Sequence, residues 1–69
     1  MKSLDLHGLK HEEVDRIVEN FVLINEPPTT VITGISSVMQ KLVIDVLKRH
    51  NISYQVNPWN IGQIIVLSW

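Results

Sequence analysis

The chain contains no cysteine and no long apolar run. Without cysteine, neither a disulfide framework nor a thiolate metal site can support the fold. No apolar stretch reaches the length of a membrane-spanning helix. The residues from Met1 to Asp5 lack the apolar run of a signal peptide. We therefore expect a cytoplasmic protein that does not contact a membrane and whose core is held by helix and sheet packing alone.

An excess of positive charge is also missing. The formal net charge is -1 and the isoelectric point is about 6.2, whereas a dedicated electrostatic binder of nucleic acid is usually basic. The low charge counts against strong unaided affinity for nucleic acid but not against a local basic patch. The content of 45% hydrophobic and 19% charged residues indicates a compact fold rather than disorder. With 69 residues and no repeat or linker, we expect a single domain spanning residues 1–69.

Apolar residues at helical spacing predict two helices. The first runs from about Lys10 to Ile24, and the second from about Val38 to His50, with Ser36 or Ser37 as its N-cap. The predicted buried positions are Val14, Ile17, Val18, Phe21 and Ile24 in the first helix and Met39, Leu42, Val43, Val46 and Leu47 in the second. Lys41, Ile44 and Lys48 fall on the outer side of the second helix, which is therefore expected to be basic.

Alternating and β-branched residues predict four strands. They lie at Ser3–Leu6, Thr29–Thr33, Ile52–Val56 and Gln63–Trp69. The run from Ile64 to Leu67 is apolar on both faces, which favours a place inside the sheet. A right-handed crossover should make the first two strands parallel, and the turn at 57–62 should make the last two antiparallel. The predicted fold is a βαβαββ α/β (α+β) two-layer sandwich, a four-stranded mixed sheet with both helices on one face.

Asp5, His7 and Gly8 form the first candidate site. Residues two apart on a strand lie about 6.7 Å apart along its axis and point the same way. A histidine can act as general base or acid near neutral pH, and a carboxylate can orient it, hold a cation or position water. The alternative is that both are solvated polar residues on an open sheet face, and spacing alone favours that interpretation.

The loop from Thr33 to Ser37 forms the second candidate site. A turn between a parallel strand and a helix exposes N-terminal amides that suit a phosphate. The alternative is ordinary helix capping, which on its own explains the serines. The loop is not a P-loop, because the lysine of that motif is missing. If the first two strands are parallel, both candidate sites lie at the same end of the sheet.

Other residues could contribute to binding. His7 and His11 are four apart, but Gly8 interrupts the spacing and no third ligand is evident, so we do not expect zinc. Trp59 and Trp69 could stack on bases, cap the small core or mark a partner surface. The cations that could contact phosphates or simply be solvated are Lys2, Lys10, Lys41, Lys48, Arg49 and His50.

The run from Leu4 to Leu9, followed by an acidic amphipathic helix, resembles the LDLHG signature that opens Smr (small MutS-related) domains. The family's second motif, HGxG or TGxG, is met by the residues Thr33 to Ser36. The helix at 38–50 and a shortened closing hairpin at 57–67 extend the resemblance over nearly the whole chain. The chain departs from the family in having Ser36 and Ser37 in place of the later glycines and few basic residues near the site.

The resemblance implies a fold similar to the C-terminal domain of bacterial translation initiation factor three. It also implies an endonuclease, a hydrolase that binds RNA or DNA and that in some family members acts at ribosomes. Asp5 and His7 match the residues linked to cleavage, with Mg²⁺ as a candidate cofactor. With flanking cations added, the expected nucleic-acid-binding residues are Gly8, Thr33, Gly34, Ser36, Ser37, Lys10 and Lys41.

The sequence is also compatible with two further classes of function. One is a nucleic-acid or ribosome-binding module with weak or no catalysis, which the loss of the later glycines and the low pI favour. The other is a protein-interaction domain, a monomer or weak homodimer, in which Ile44, Trp59 and Trp69 form an apolar contact surface.

Overall fold

A computed structural model describes all 69 residues of the chain. The elements are β1 (Lys2–Asp5), α1 (His11–Ile24), β2 (Thr29–Ile32), α2 (Ser37–Arg49), β3 (Ser53–Val56) and β4 (Gln63–Ser68). They form a four-stranded mixed sheet with two helices in an α+β arrangement, which confirms the predicted fold class. Neither helix has the length and apolar character that a membrane crossing requires.

The strands are ordered β1-β2-β4-β3 across the sheet. β1 and β2 pair in parallel, with Asp5 opposite Ile32. β4 pairs antiparallel with β2 on one side and with β3 on the other. The last strand is therefore an inner strand, as its continuous apolar run predicts.

The core lies between one face of the sheet and both helices. Because side chains alternate along each strand, Val31, Ile64 and Val66 point into this core, while Ile32 and Ile65 are half-buried on the open face. The buried hydrophobic residues are Leu6, Val14, Val18, Val22, Val31, Met39, Val43, Val46, Leu47, Ile52, Ile64 and Val66.

Two predictions of buried positions are wrong. In α1 the fully buried residues are Val14, Val18 and Val22, which are four apart and therefore lie on one side of the helix. Ile24, predicted to be buried, is the last residue of the helix and is 70% exposed. In α2, Ile44 was expected on the outer side but packs, partly buried, against the core.

Replacing Leu47 by alanine should test the core directly. Leu47 is fully buried near the end of α2, so its truncation leaves a cavity and should lower the free energy of unfolding by about 2–5 kcal/mol. The half-exposed Leu23 is the matched control, and Leu23→Ala should cost less than about 1 kcal/mol. Urea denaturation followed by circular dichroism measures both. Equal losses would contradict the placement of the core.

Candidate nucleic-acid site

The two candidate sites start from the same edge of the sheet. β1 and β2 run parallel, and their carboxyl ends are joined by a hydrogen bond of 3.0 Å from the N–H of Leu6 to the carbonyl of Ile32. The turn that follows β1 contains His7 and Gly8, and the loop that follows β2 contains Thr33 and Gly34. The structure therefore brings the two segments together as neighbours, as expected for parallel strands.

Asp5 shapes the turn that carries His7. Its Oδ1 accepts the backbone N–H of His7 at 2.8 Å, and the N–H of Leu9 donates to the carbonyl of Leu6 at 3.1 Å. Gly8 has a φ of 81°, in the left-handed region that glycine adopts without strain. The side chains of Asp5 and His7 are both exposed. The carboxylate thus holds the backbone of His7 and leaves the imidazole directed to solvent, where it can meet a substrate.

The amino end of α1 continues this surface. Lys10 is its N-cap residue and makes no side-chain capping hydrogen bond. Leu9, Lys10, His11 and Glu12 line a shallow depression at this position. Uncapped N–H groups at a helix start favour anions, and the exposed Lys10 adds a positive charge. Glu12 in the first turn opposes that attraction, so the electrostatic pull on a phosphate is moderate.

The loop after β2 uses its hydrogen-bond donors inside the protein. The N–H groups of Thr33 and Gly34 both donate to the carbonyl of Gly62, at 2.8 and 3.1 Å. The Thr33 hydroxyl is also within reach of the carbonyls of Gly34 (2.8 Å) and Gly62 (3.2 Å), and Thr33 is buried. The N–H of Gly34 therefore already has a partner inside the protein, and a role of Gly34 in binding nucleic acid stays a prediction.

Ser36 caps α2, one of the two serines predicted to do so. Its Oγ accepts the N–H of Met39 at 3.2 Å, the usual role of an N-cap side chain. Ser37 is exposed at the first position of the helix, and Lys41 lies exposed one turn further along. Because residues four apart share a helix side, Ser37 and Lys41 offer a hydroxyl and a cation on the same surface.

Sequence analysis predicted the turn between β3 and β4 but missed its contact with the loop after β2. The turn packs on that loop so closely that a Cβ on Gly62 would lie 3.3 Å from the Gly34 backbone. The Nε2 of Gln40 also donates to the carbonyl of Ile61 at 2.5 Å. The only signal of this contact in the sequence was Gly62, because a glycine just before a strand indicates either a turn or a close backbone approach.

Two of the predicted phosphate-contacting cations are paired with α1 instead. The guanidinium of Arg49 lies 2.7 Å from the Asp15 carboxylate, and this hydrogen bond raises the pKa of Arg49 above its ordinary value. The ring of His50 lies 3.1 Å from the Glu19 carboxylate, an ion pair when the imidazole is protonated. These contacts join the two helices, so neither side chain is free to reach a phosphate.

The residues do not form a resident metal centre. No group of three or more His, Cys, Asp or Glu side chains is placed to hold a metal ion. Asp5, the carboxylate of the site, is engaged with the backbone of His7. Mg²⁺ does not fit this donor set as a protein-held cofactor, and the mechanism proposed below uses no metal.

Ser36→Ala should test whether Ser36 is the N-cap of α2. Removal of the cap should lower the free energy of unfolding by about 1 kcal/mol, because the Met39 N–H loses its acceptor. Ser37→Ala is the matched control, since no hydrogen bond of the Ser37 side chain stabilises the helix start, and should change stability by less than about 0.5 kcal/mol. Thermal and urea unfolding measure both variants. A larger loss of stability in Ser37→Ala than in Ser36→Ala would show that Ser36 is not the cap.

Comparisons of the chain with protein-family models, curated proteins and solved structures return no match. The resemblance of the segment from Leu4 to Gly8 to the Smr signature stays a prediction.

Proposed function

We propose that the chain is a small Smr-like endonuclease that binds and cleaves RNA, or DNA, in the cytoplasm, with ribosomes as a candidate place of action. The observation that carries the proposal is the turn after β1. There Asp5 holds the backbone of His7 at 2.8 Å, and the imidazole is exposed beside the uncapped start of α1. This joins a candidate proton acceptor to a candidate phosphate-binding element on one surface.

The proposed chemistry uses His7 as the general base. Its neutral imidazole takes the proton from a ribose 2′-hydroxyl, or from water where the substrate is DNA, as that oxygen forms a bond to phosphorus. The bond from phosphorus to the leaving 5′-oxygen breaks, and solvent protonates that oxygen. Asp5 positions His7 through the main chain and does not exchange a proton itself.

The phosphate would lie against the start of α1. The uncapped amides and Lys10 supply positive charge there, and Gly8 leaves room, since nothing lies within 4 Å of a Cβ built on it. Ser37 and Lys41 would contact the strand further along. So few cations imply modest affinity, in keeping with the net charge of -1.

A binding module without catalysis is the second candidate function. It is favoured by the loop after β2, where the N–H groups of Thr33 and Gly34 are occupied by the Gly62 carbonyl. Donors that face inward cannot stabilise the charge that develops on a phosphate in the transition state. This candidate predicts salt-sensitive binding with no cleaved product.

His7→Ala should lower the rate of cleavage by a factor of about 10²–10⁴, because the general base is lost. The matched control is His50→Ala, which removes a histidine outside the site, where its ring pairs with the Glu19 carboxylate, and should keep most of the activity. Single-turnover cleavage of end-labelled RNA and DNA, with Mg²⁺ and with EDTA, gives the rates. Cleavage by His7→Ala at the parent rate would disprove the assignment, and binding without any product would favour the second candidate.

Lys10→Gln and Lys41→Gln should each weaken nucleic-acid binding and reduce the slope of log K against log salt by about 1. Lys48→Gln removes an equally exposed lysine near the far end of α2 and should leave the slope unchanged. Fluorescence anisotropy over a range of salt concentrations measures all three. A slope that is the same in every variant would place the phosphates elsewhere.

A further inference from the structure

The turn between β3 and β4 presents a tryptophan to solvent. Trp59 is 94% exposed. Three other exposed apolar side chains accompany it at this end of the molecule, and we call the four residues Trp59, Ile61, Ile35 and Val38 the Trp59 surface. The turn and the loop after β2 are in contact through Gly62 and Gly34, which brings these residues to one end of the sheet.

The exposure of Trp59 does not come from a loose turn. The Oδ1 of Asn57 accepts the N–H of Trp59 at 2.9 Å, and the Oδ1 of Asn60 accepts the N–H of Gly62 at 3.0 Å. The Nδ2 of Asn57 donates to the Oε1 of Gln63 at 3.1 Å. The backbone that carries the indole is therefore already ordered, so a ligand that contacts it loses little conformational entropy on binding.

The charge around the Trp59 surface suits a polyanion. No Asp or Glu occurs between Pro27 and Ile44 or between Val46 and Trp69. Lys41 is the one charged residue between Thr33 and Ile44, and it lies three positions after Val38, on the same side of α2. Two exposed acids lie outside these segments, Asp45 one turn after Lys41 and Asp5 at the carboxyl end of β1, and the segments themselves add no negative charge against a phosphate.

The area of the Trp59 surface argues against a stable dimer. A standard interface buries about 800 Å² on each partner, whereas a large aromatic side chain buries only about 150–250 Å². One indole with three aliphatic neighbours falls short of an interface of that size. It does match the flat face of a single nucleobase, which gains about 1–3 kcal/mol by stacking on an aromatic ring.

The Trp59 surface lies at the same end of the sheet as the turn that carries His7. Asp5, Ile32 and Gln63 lie side by side across β1, β2 and β4, so the carboxyl end of β1 and the start of β4, which follows the turn with Trp59, are about 10 Å apart. A strand of a few nucleotides spans that distance. A phosphate at the start of α1 and a base at Trp59 can therefore belong to the same strand.

We propose that Trp59 stacks on an unpaired nucleobase a few nucleotides from the bond cleaved at His7, and that the site therefore selects single-stranded over duplex nucleic acid. This inference rests on the proposed function. The bases of a duplex are stacked on one another and do not offer a face to the indole, whereas those of a single strand do.

The test uses two variants of the full chain. In Trp69→Phe, Trp59 is the only tryptophan, so its fluorescence should be quenched by a single-stranded oligonucleotide and not by a blunt duplex of the same sequence. Trp59→Ala should bind the single strand about 5- to 150-fold more weakly, the stacking energy expressed as a fold-change. Its duplex affinity and its salt slope should stay at the parent values, because no phosphate contact is removed.

The possible results distinguish this inference from the proposed function. If Trp59→Ala binds single strands as tightly as the parent while His7→Ala is inactive, stacking is disproved and the nuclease assignment stands. If the parent binds no nucleic acid, both proposals fail. If light scattering shows a dimer that Trp59→Ala abolishes, the surface serves self-association and the inference is overturned. Because Trp59 is almost fully exposed, its replacement should leave the melting temperature unchanged, which is the control for folding.

Discussion

The pairing of β4 between β2 and β3 is the constraint on which the rest of the structure depends. This inner strand supplies Ile64 and Val66 to the core and joins the edge strand β3 to the parallel pair β1 and β2. Just before β4, the carbonyl of Gly62 accepts the N–H groups of Thr33 and Gly34. The same strand therefore organises both the core and the end of the sheet where the candidate site lies.

This pairing determines which groups of the site remain free for chemistry. Gly62 occupies the N–H groups of Thr33 and Gly34, and Ser36 uses its oxygen to cap α2. The exposed imidazole of His7 and the uncapped start of α1 remain free. The proposed reaction is accordingly placed on the turn after β1, and the glycine loop is assigned a structural role beside it.

The net charge is -1, but the acidic and basic residues are unevenly distributed over the molecule. Acidic residues concentrate on α1, where Asp15 and Glu19 pair with Arg49 and His50 of α2. These contacts offset two acidic charges between the helices, and no Asp or Glu occurs in residues 27–44 or 46–69, which carry the Trp59 surface on either side of Asp45. An acidic protein can thus offer a polyanion one side that does not repel it, since charges are screened beyond about 8–10 Å in physiological salt.

Local patterns in the sequence determined the βαβαββ order, the parallel and antiparallel pairs, the inner position of β4 and a cap at Ser36 or Ser37. Each follows from the period of the apolar residues or from the chemistry of one side chain near its own backbone. The tertiary structure alone decided that Thr33 and Gly34 donate to Gly62, 29 residues after Thr33, and that Arg49 is paired with Asp15. The reason is physical, because the partner of a backbone N–H or a charged side chain depends on which strands and helices become neighbours. Periodicity predicts that Asp5 and His7 share a strand side, but only the folded chain shows that β1 ends at Asp5, that His7 lies in the turn after it, and which of the surrounding donors remain free to meet a ligand.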